Sequence, residues 1–141
     1  MFSTFIAQTN FFAVLVASLV YFILGALWYS VLFGNSWSRG LEEHGVDIDE
    51  PTGKEVALKL LATFVGNVLA SFAMAYLVYW TGSYRFTTGL ALGSASGICF
   101  CAVSIGIAYA WEDKPLKLFL IDSSYHILGL SFAGVILSVW K

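Results

Sequence analysis

Charge is scarce in this chain. Asp, Glu, Lys and Arg make up 11% of it and no Lys/Arg cluster occurs, so the basic footprint of a nucleic-acid binder is missing and no nucleic-acid partner is expected. Cysteine is nearly absent too. Cys99 and Cys101 lie two apart in one apolar run, where helical geometry turns their side chains away from each other; a mutual disulfide is disfavoured and buried apolar packing is expected. There is no Cys-x-x-Cys or His-Glu-x-x-His motif, and one histidine, His126, lies inside an apolar run, so neither a structural zinc site nor a bis-histidine haem within one chain has its ligands. No metal and no cofactor are expected. The acidic Asp47-Ile48-Asp49-Glu50 is reminiscent of calcium ligands, yet Gly53 is misplaced for an EF-hand loop and Pro51 interrupts it, leaving a solvated loop as the better reading. Nucleophile elbow, phosphate loop and convergent carboxylate pair are all missing. Ser123 and Ser124 beside Asp122 and His126 supply the residue types of a hydrolase triad, but consecutive helical positions point in different directions and a triad needs convergence. An enzyme is not expected.

What the chain has is apolar length. Hydrophobic residues make up 59% and aromatics 17%, and the mean hydropathy is +0.81, values that belong to an integral membrane protein. Four long apolar runs each reach across a hydrocarbon core of about 30 Å at about 1.5 Å per residue. Since period-two alternation is missing and an open sheet edge cannot face lipid, the expected fold is all-α, an integral membrane four-helix bundle. The spans fall at about 11–33, 56–80, 87–111 and 115–140, with a polar acidic loop at 34–55, so 1–141 is expected to be a single transmembrane domain with no separate soluble domain. The first run reads as a retained span and not a signal peptide, because Met1 to Asn10 holds no Lys or Arg and the run exceeds a usual h-region.

Local signals mark the ends. Asn10 can cap the first span, Thr52-Gly53-Lys54-Glu55 has the form of a capping box, Gly82 breaks the second span, and Pro115 suits a first helical turn. Trp28, Tyr29 and Trp37 suit the headgroup boundary, and Arg39-Gly40-Leu41-Glu42-Glu43-His44 reads as a short interfacial turn. Arg39, Lys54, Lys59, Lys114 and Lys117 lie on one side against Arg85 and Lys141 on the other, which predicts both termini on the outer side. Ser71-Phe72-Ala73 with Leu77 and Trp80 recurs as Ser131-Phe132-Ala133 with Leu137 and Trp140, a pattern expected of two repeated helical hairpins and equally of four apolar helices alike by chance.

Leu27-Trp28-Tyr29-Ser30, followed by Leu32-Phe33-Gly34 and Trp37, resembles the signature of the small bacterial membrane proteins grouped as domain of unknown function 1761. The four-span layout and Trp140 are similar too, so the resemblance covers nearly the whole chain. It implies a four-helix protein of the bacterial inner membrane and no established activity. The sequence departs from the family pattern at Val31, where proline is expected, which leaves open whether the first span breaks there.

Ionisable groups enter one span alone. Asp122 and His126 stand one turn apart in the fourth, on one face, where carboxyl and imidazole can meet. That face continues through Gly129 and Ala133, small residues that admit a neighbouring helix. Expected neighbours are Thr63, Asn67 and Ser71 of the second span and Ser18, Tyr21 and Gly25 of the first, each set at three- or four-residue spacing. In the third span, Gly89, Gly93 and Gly97 form a small-xxx-small stripe extended by Cys101, read either as a subunit interface or as packing inside the bundle. Four short helices bury little alone, so a homo-oligomer in contact with membrane lipid is expected. Two functional readings follow: a non-enzymatic structural or accessory bundle with Asp122 and His126 as internal glue, or a small proton- or solute-conducting transporter using the pair.

Overall fold

The computed structural model describes residues 2–46, 52–82 and 84–140, and among them it is all-helical. Four helical stretches are long and apolar enough to cross a membrane: Phe11–Leu32, Gly53–Thr81, Phe86–Trp111 and Leu116–Val139. The acidic stretch Asp47 to Glu50 with Pro51, and the terminal Lys141, lie outside the described residues.

A short helix α1 (Phe2–Gln8) precedes the first span. It is anchored by Phe5, whose ring meets Phe72, Tyr76 and Tyr79 at centroid distances of 5.3, 4.9 and 5.4 Å. Helix α2 (Phe11–Leu27) starts where Asn10 Oδ1 accepts the Ala13 N–H at 3.0 Å, filling one of the free donors at a helix N-terminus. It runs into one π-helical turn, Trp28–Leu32, closed by the Phe33 N–H donating to Trp28 O at 2.8 Å. The span therefore passes through Val31 unbroken and ends at Phe33, whose φ of −125° and ψ of 3° leave the helix.

Two sequence expectations need correction at this end. The polar segment 34–55 is not a loop throughout: Gly34–Glu43 forms helix α3, and α4 (Gly53–Thr81) begins directly after Thr52. The capping box explains the second point. Thr52 N–H donates to Glu55 Oε2 at 2.8 Å and Glu55 N–H to Thr52 Oγ1 at 3.4 Å, so the helix starts at the box and not at the first apolar residue after it. Helix α3 lies on the start of the last span. A Cβ at Gly40 would come within 2.8 Å of Leu118 Cδ2, so glycine is what allows that approach. Helix α4 ends at Gly82, in the left-handed conformation with φ +61°.

The third span is α5 (Phe86–Ser96), a second π-helical turn (Gly97–Ala102) and α6 (Val103–Trp111); the fourth is α7 (Leu116–Val139), preceded by Pro115. Helix α7 lies at the centre. Of its apolar stretch 56% is buried in protein, against 33%, 28% and 11% for the first three spans, and α2, α4 and α5 all pack on it. Large apolar side chains elsewhere, such as Ile23, Leu69, Phe100 and Ile107, are exposed, as lipid-facing positions are.

The glycine stripe of the third span decides how closely α5 approaches. Cβ atoms at Gly89, Gly93 and Gly97 would lie 2.2 Å from Gly134 O, 2.2 Å from Leu130 O and 2.5 Å from Ile127 Cα. The stripe faces α7 of the same chain, so these glycines are not a surface offered to a second subunit. Ser94 and Ser131 add a hydrogen bond of 2.9 Å across the same seam. Gly93→Ala is expected to destabilise the fold by about 1–3 kcal/mol, because the new methyl meets backbone that has no rotamer to change. Gly66→Ala, where a Cβ meets nothing within 4 Å, is expected to be neutral or stabilising by up to about 1 kcal/mol. Reversible unfolding in mixed micelles compares the two; equal losses would contradict this account of the seam.

Candidate functional site

Asp122 and His126 both lie on α7, but no hydrogen bond joins them among the described residues. Each instead takes tyrosines from other spans. Tyr29 donates to Asp122 Oδ1 at 2.7 Å and Tyr109 donates to Oδ2 at 2.5 Å, so both carboxyl oxygens are met by phenols, one from the first span and one from the third. Asp122 is 8% exposed. His126 turns to Tyr21, whose hydroxyl is 2.7 Å from Nδ1.

The first-span segment that reaches Asp122 is the π-helical turn. Trp28 and Tyr29 are adjacent, and on a regular helix adjacent side chains diverge; here both reach α7, Trp28 Nε1–H donating to Ile121 O at 3.0 Å and Tyr29 to Asp122. Trp28 is buried at 8% exposure and Phe33 packs on it at 4.6 Å, while Trp37 meets Tyr29 edge-on at 5.6 Å. Trp28 and Tyr29, expected at the headgroup boundary, both turn toward α7: Trp28 is buried against the Ile121 carbonyl and Tyr29 serves the buried acid. A Cβ at Gly34 would come within 2.9 Å of Tyr29 O, so this turn also needs a residue without a side chain.

Around His126 the neighbours are aromatic. Tyr125 is 4% exposed and accepts from Asn67 Nδ2 at 3.4 Å; its ring lies 5.2 Å from Tyr21, 5.4 Å from Tyr29 and 4.7 Å from His126. Gly25 lies under the Tyr125 ring and Gly129 under Tyr21, where a Cβ would fall 1.9 Å from a ring carbon. Ala133 is fully buried further along α7. Of the other sequence candidates, Ser18 bonds back to Val14 O at 2.7 Å and Thr63 to Lys59 O at 2.8 Å, both within their own helices. Ser71 is buried, its hydroxyl without a partner, as is that of Ser123. So Tyr21, Asn67 and His126 come together, and Ser18 and Ser71 stay outside the hydrogen-bonded group.

A cavity of about 790 Å³ opens beside this group. Its walls are mainly α2 and α4, with Tyr125, His126 and Leu130 of α7 and Cys101 of the third span at its back. Ala26, Ser30, Leu60, Thr63 and Gly66 at its edge are exposed and lie within the membrane-length helices, so the opening faces sideways at span depth. Asp122 is not on its wall. Cys99, expected to be buried, is exposed, and Cys101 is half-buried at the cavity; two residues of helical rotation separate the two environments. No group of three His, Cys, Asp or Glu side chains placed to hold a metal occurs among the described residues.

The family described as protein of unknown function (DUF1761) matches residues 12–138. This chain belongs to that family. No curated protein and no solved structure matches it. The DUF1761 match covers all four spans and both partners of Asp122. Tyr109 was missed by sequence reading, since a half-exposed tyrosine 13 residues from Asp122, across a loop, carries no periodic signal. Trp28 and Tyr29 were noticed, but for their likeness to a family signature and not for their contacts.

A double-mutant cycle tests the Asp122 knot. Tyr29→Phe, Asp122→Ala and the double variant, compared by unfolding in micelles, should show a coupling of about 0.5–2 kcal/mol, the range found for hydrogen bonds between membrane helices. Strict additivity would remove the bond from the account.

Proposed function

We propose that this DUF1761 protein is a non-enzymatic, multi-pass four-helix bundle of the bacterial inner membrane that binds a small lipid-soluble molecule in the cavity between α2 and α4. The observation that carries this reading is the cavity itself, about 790 Å³ with His126 on its wall and its mouth at span depth. Small-molecule sites are concave, largely apolar and furnished with a few polar groups, and this one has those properties. Because the mouth lies between membrane-length helices, entry is from the bilayer, not from water.

The Asp122–His126 pair divides its work in this reading. Asp122, enclosed by Tyr29 and Tyr109 and away from the cavity wall, joins three spans. His126 is the member a ligand can reach. Conduction of protons or solutes through both residues has less support, since the cavity includes one of them and not the other. The structural or accessory reading draws on the two hydrogen bonds that Asp122 accepts from other spans, and the two readings coexist: the knot holds the walls of the site. Self-association would use a face other than the glycine stripe. In this reading the excess of Lys and Arg at the α3 end supports an orientation with that end, and with it Asp122, toward the cytoplasm and both termini outward.

Gly66→Trp tests the cavity. Gly66 lines it, and a Cβ added there meets nothing within 4 Å, so the backbone admits a side chain at the mouth, which an indole is large enough to obstruct. The unaltered protein, purified in mild detergent and extracted for mass spectrometry, is expected to carry a lipid-soluble molecule in near-stoichiometric amount, and Gly66→Trp of equal melting temperature to carry at least tenfold less. Identical extracts from the two proteins would overturn the reading.

A further inference from the structure

The cavity wall carries no Asp, Glu, Lys or Arg, so an ion entering it finds no counter-charge. What it does carry is a surplus of hydrogens to donate. Three of the polar side chains have already spent theirs: Ser30 donates to Ala26 O, Thr63 to Lys59 O and Tyr29 to Asp122. The remaining group is Tyr21, Tyr125, His126 and Asn67. Tyr125 accepts from Asn67, which leaves its own phenol hydrogen without an acceptor among the described residues. A neutral Tyr21 and a neutral His126 hold two hydrogens and use one between them, so one is left, on His126 Nε2 or on the Tyr21 hydroxyl according to the tautomer. Asn67 Nδ2 has a second hydrogen. Against these three stand Asn67 Oδ1 and, in the tautomer that leaves the spare hydrogen on Tyr21, His126 Nε2. The rings of Tyr21, Tyr125 and His126 lie within 6.1 Å of one another by centroid, so the side chains that carry two of these donors border the same part of the cavity.

We infer that the cavity takes an uncharged molecule with an apolar body and a carbonyl-type acceptor, of the ketone, quinone or ester class, its oxygen at Tyr125 and the Tyr21–His126 pair and its body along Phe22 and Leu60. The inference rests on the reading of this cavity as a binding site. A carbonyl oxygen with two lone pairs accepts hydrogens from this edge and demands none in return. An alcohol or amine brings further hydrogens to a place that already has too many.

Calorimetric titration of the purified full chain in detergent, with three probes of similar shape, separates the possibilities. They are 2-acetylnaphthalene with a ketone, 2-ethylnaphthalene with no polar head and 2-naphthylmethylammonium with a cation. The ketone is expected to bind about tenfold more tightly than the hydrocarbon, the difference that one good hydrogen bond supplies. Tyr125→Phe, which keeps the ring over Gly25, should remove most of that preference and leave 2-ethylnaphthalene binding unchanged. Equal binding of ketone and hydrocarbon would defeat the inference about the head group while leaving the cavity reading intact, and so would preference for the ammonium. If Gly66→Trp abolishes the binding seen with the unaltered chain, the cavity reading gains, while the ranking of the probes decides the head group; if none binds the unaltered protein, both fail. The comparison among probes is made on the unaltered chain, so it decides the matter even if Tyr125→Phe does not fold.

Discussion

A carboxyl held at span depth by two phenols from two different helices is the constraint on which the rest of this structure turns. Placing such a group in hydrocarbon costs about 2.5–3.5 kcal/mol by insertion scales, so Asp122 needs donors from protein. It finds Tyr29 on the first span and Tyr109 on the third, at 2.7 and 2.5 Å. Because a helix turns by about 100° per residue, a one-residue change of rotation in either span would carry its hydroxyl away from α7. Satisfying one acid thus fixes the facing of three helices. The π-helical turn at Trp28–Leu32 follows from the same demand, since it brings Trp28 and Tyr29 to α7 together.

The two sides of α7 are built in opposite ways. Toward α5 the contact is largely backbone to backbone, with Gly89 against Gly134 and Gly93 against Leu130, joined by the small hydroxyls of Ser94, Ser131 and Ser138. Without a hydrophobic driving force between helices in lipid, such close approach and its van der Waals contact are what hold a seam together. Toward α4 the packing is aromatic and incomplete. Nearly all positions of α4 between Gly53 and Gly66 are exposed, and the space between it and α2 is the cavity. A rigid side and an open side meet at the Tyr125–His126 edge of one central helix.

Local chemistry was legible in the sequence because it depends on near neighbours. Asn10, the Thr52–Glu55 box and Gly82 each stand where a helix starts or stops, since a cap acts within one turn. Span length and the inward facing of Asp122 were legible for a similar reason: hydrocarbon thickness and the cost of a buried acid apply to any chain. The partners were not. Whether Asp122 turns to His126, four residues away, or to Tyr29, 93 residues away, depends on the relative rotation of separate helices, which periodicity does not encode. The stripe Gly89, Gly93, Gly97 shows the same limit, being equally suited to an inner and an outer neighbour until α7 is placed. The aromatics near the end of the first span show it too, because a Trp at the headgroups and a Trp that donates to a buried carbonyl look alike in sequence.

The open side follows from side-chain size. Gly25 and Ala26 on α2 and Gly66 and Ala70 on α4 line the cavity, and small residues on facing helices ordinarily close such a gap. Between these helices, however, Phe22 meets Phe64 edge-on with centroids 5.7 Å apart, a spacer that keeps them apart while their small residues leave the volume clear. A space of that size cannot stand empty beside a bilayer, because lining atoms without neighbours forfeit their dispersion contacts. In the proposed bilayer setting lipid chains can enter through the side, so any ligand would compete with them. An acyl chain matches the apolar walls about as well as another hydrocarbon body does, and the walls therefore discriminate little. Selection falls to the one place where a lipid tail leaves hydrogens unmet, the edge formed by Tyr21, Tyr125 and His126.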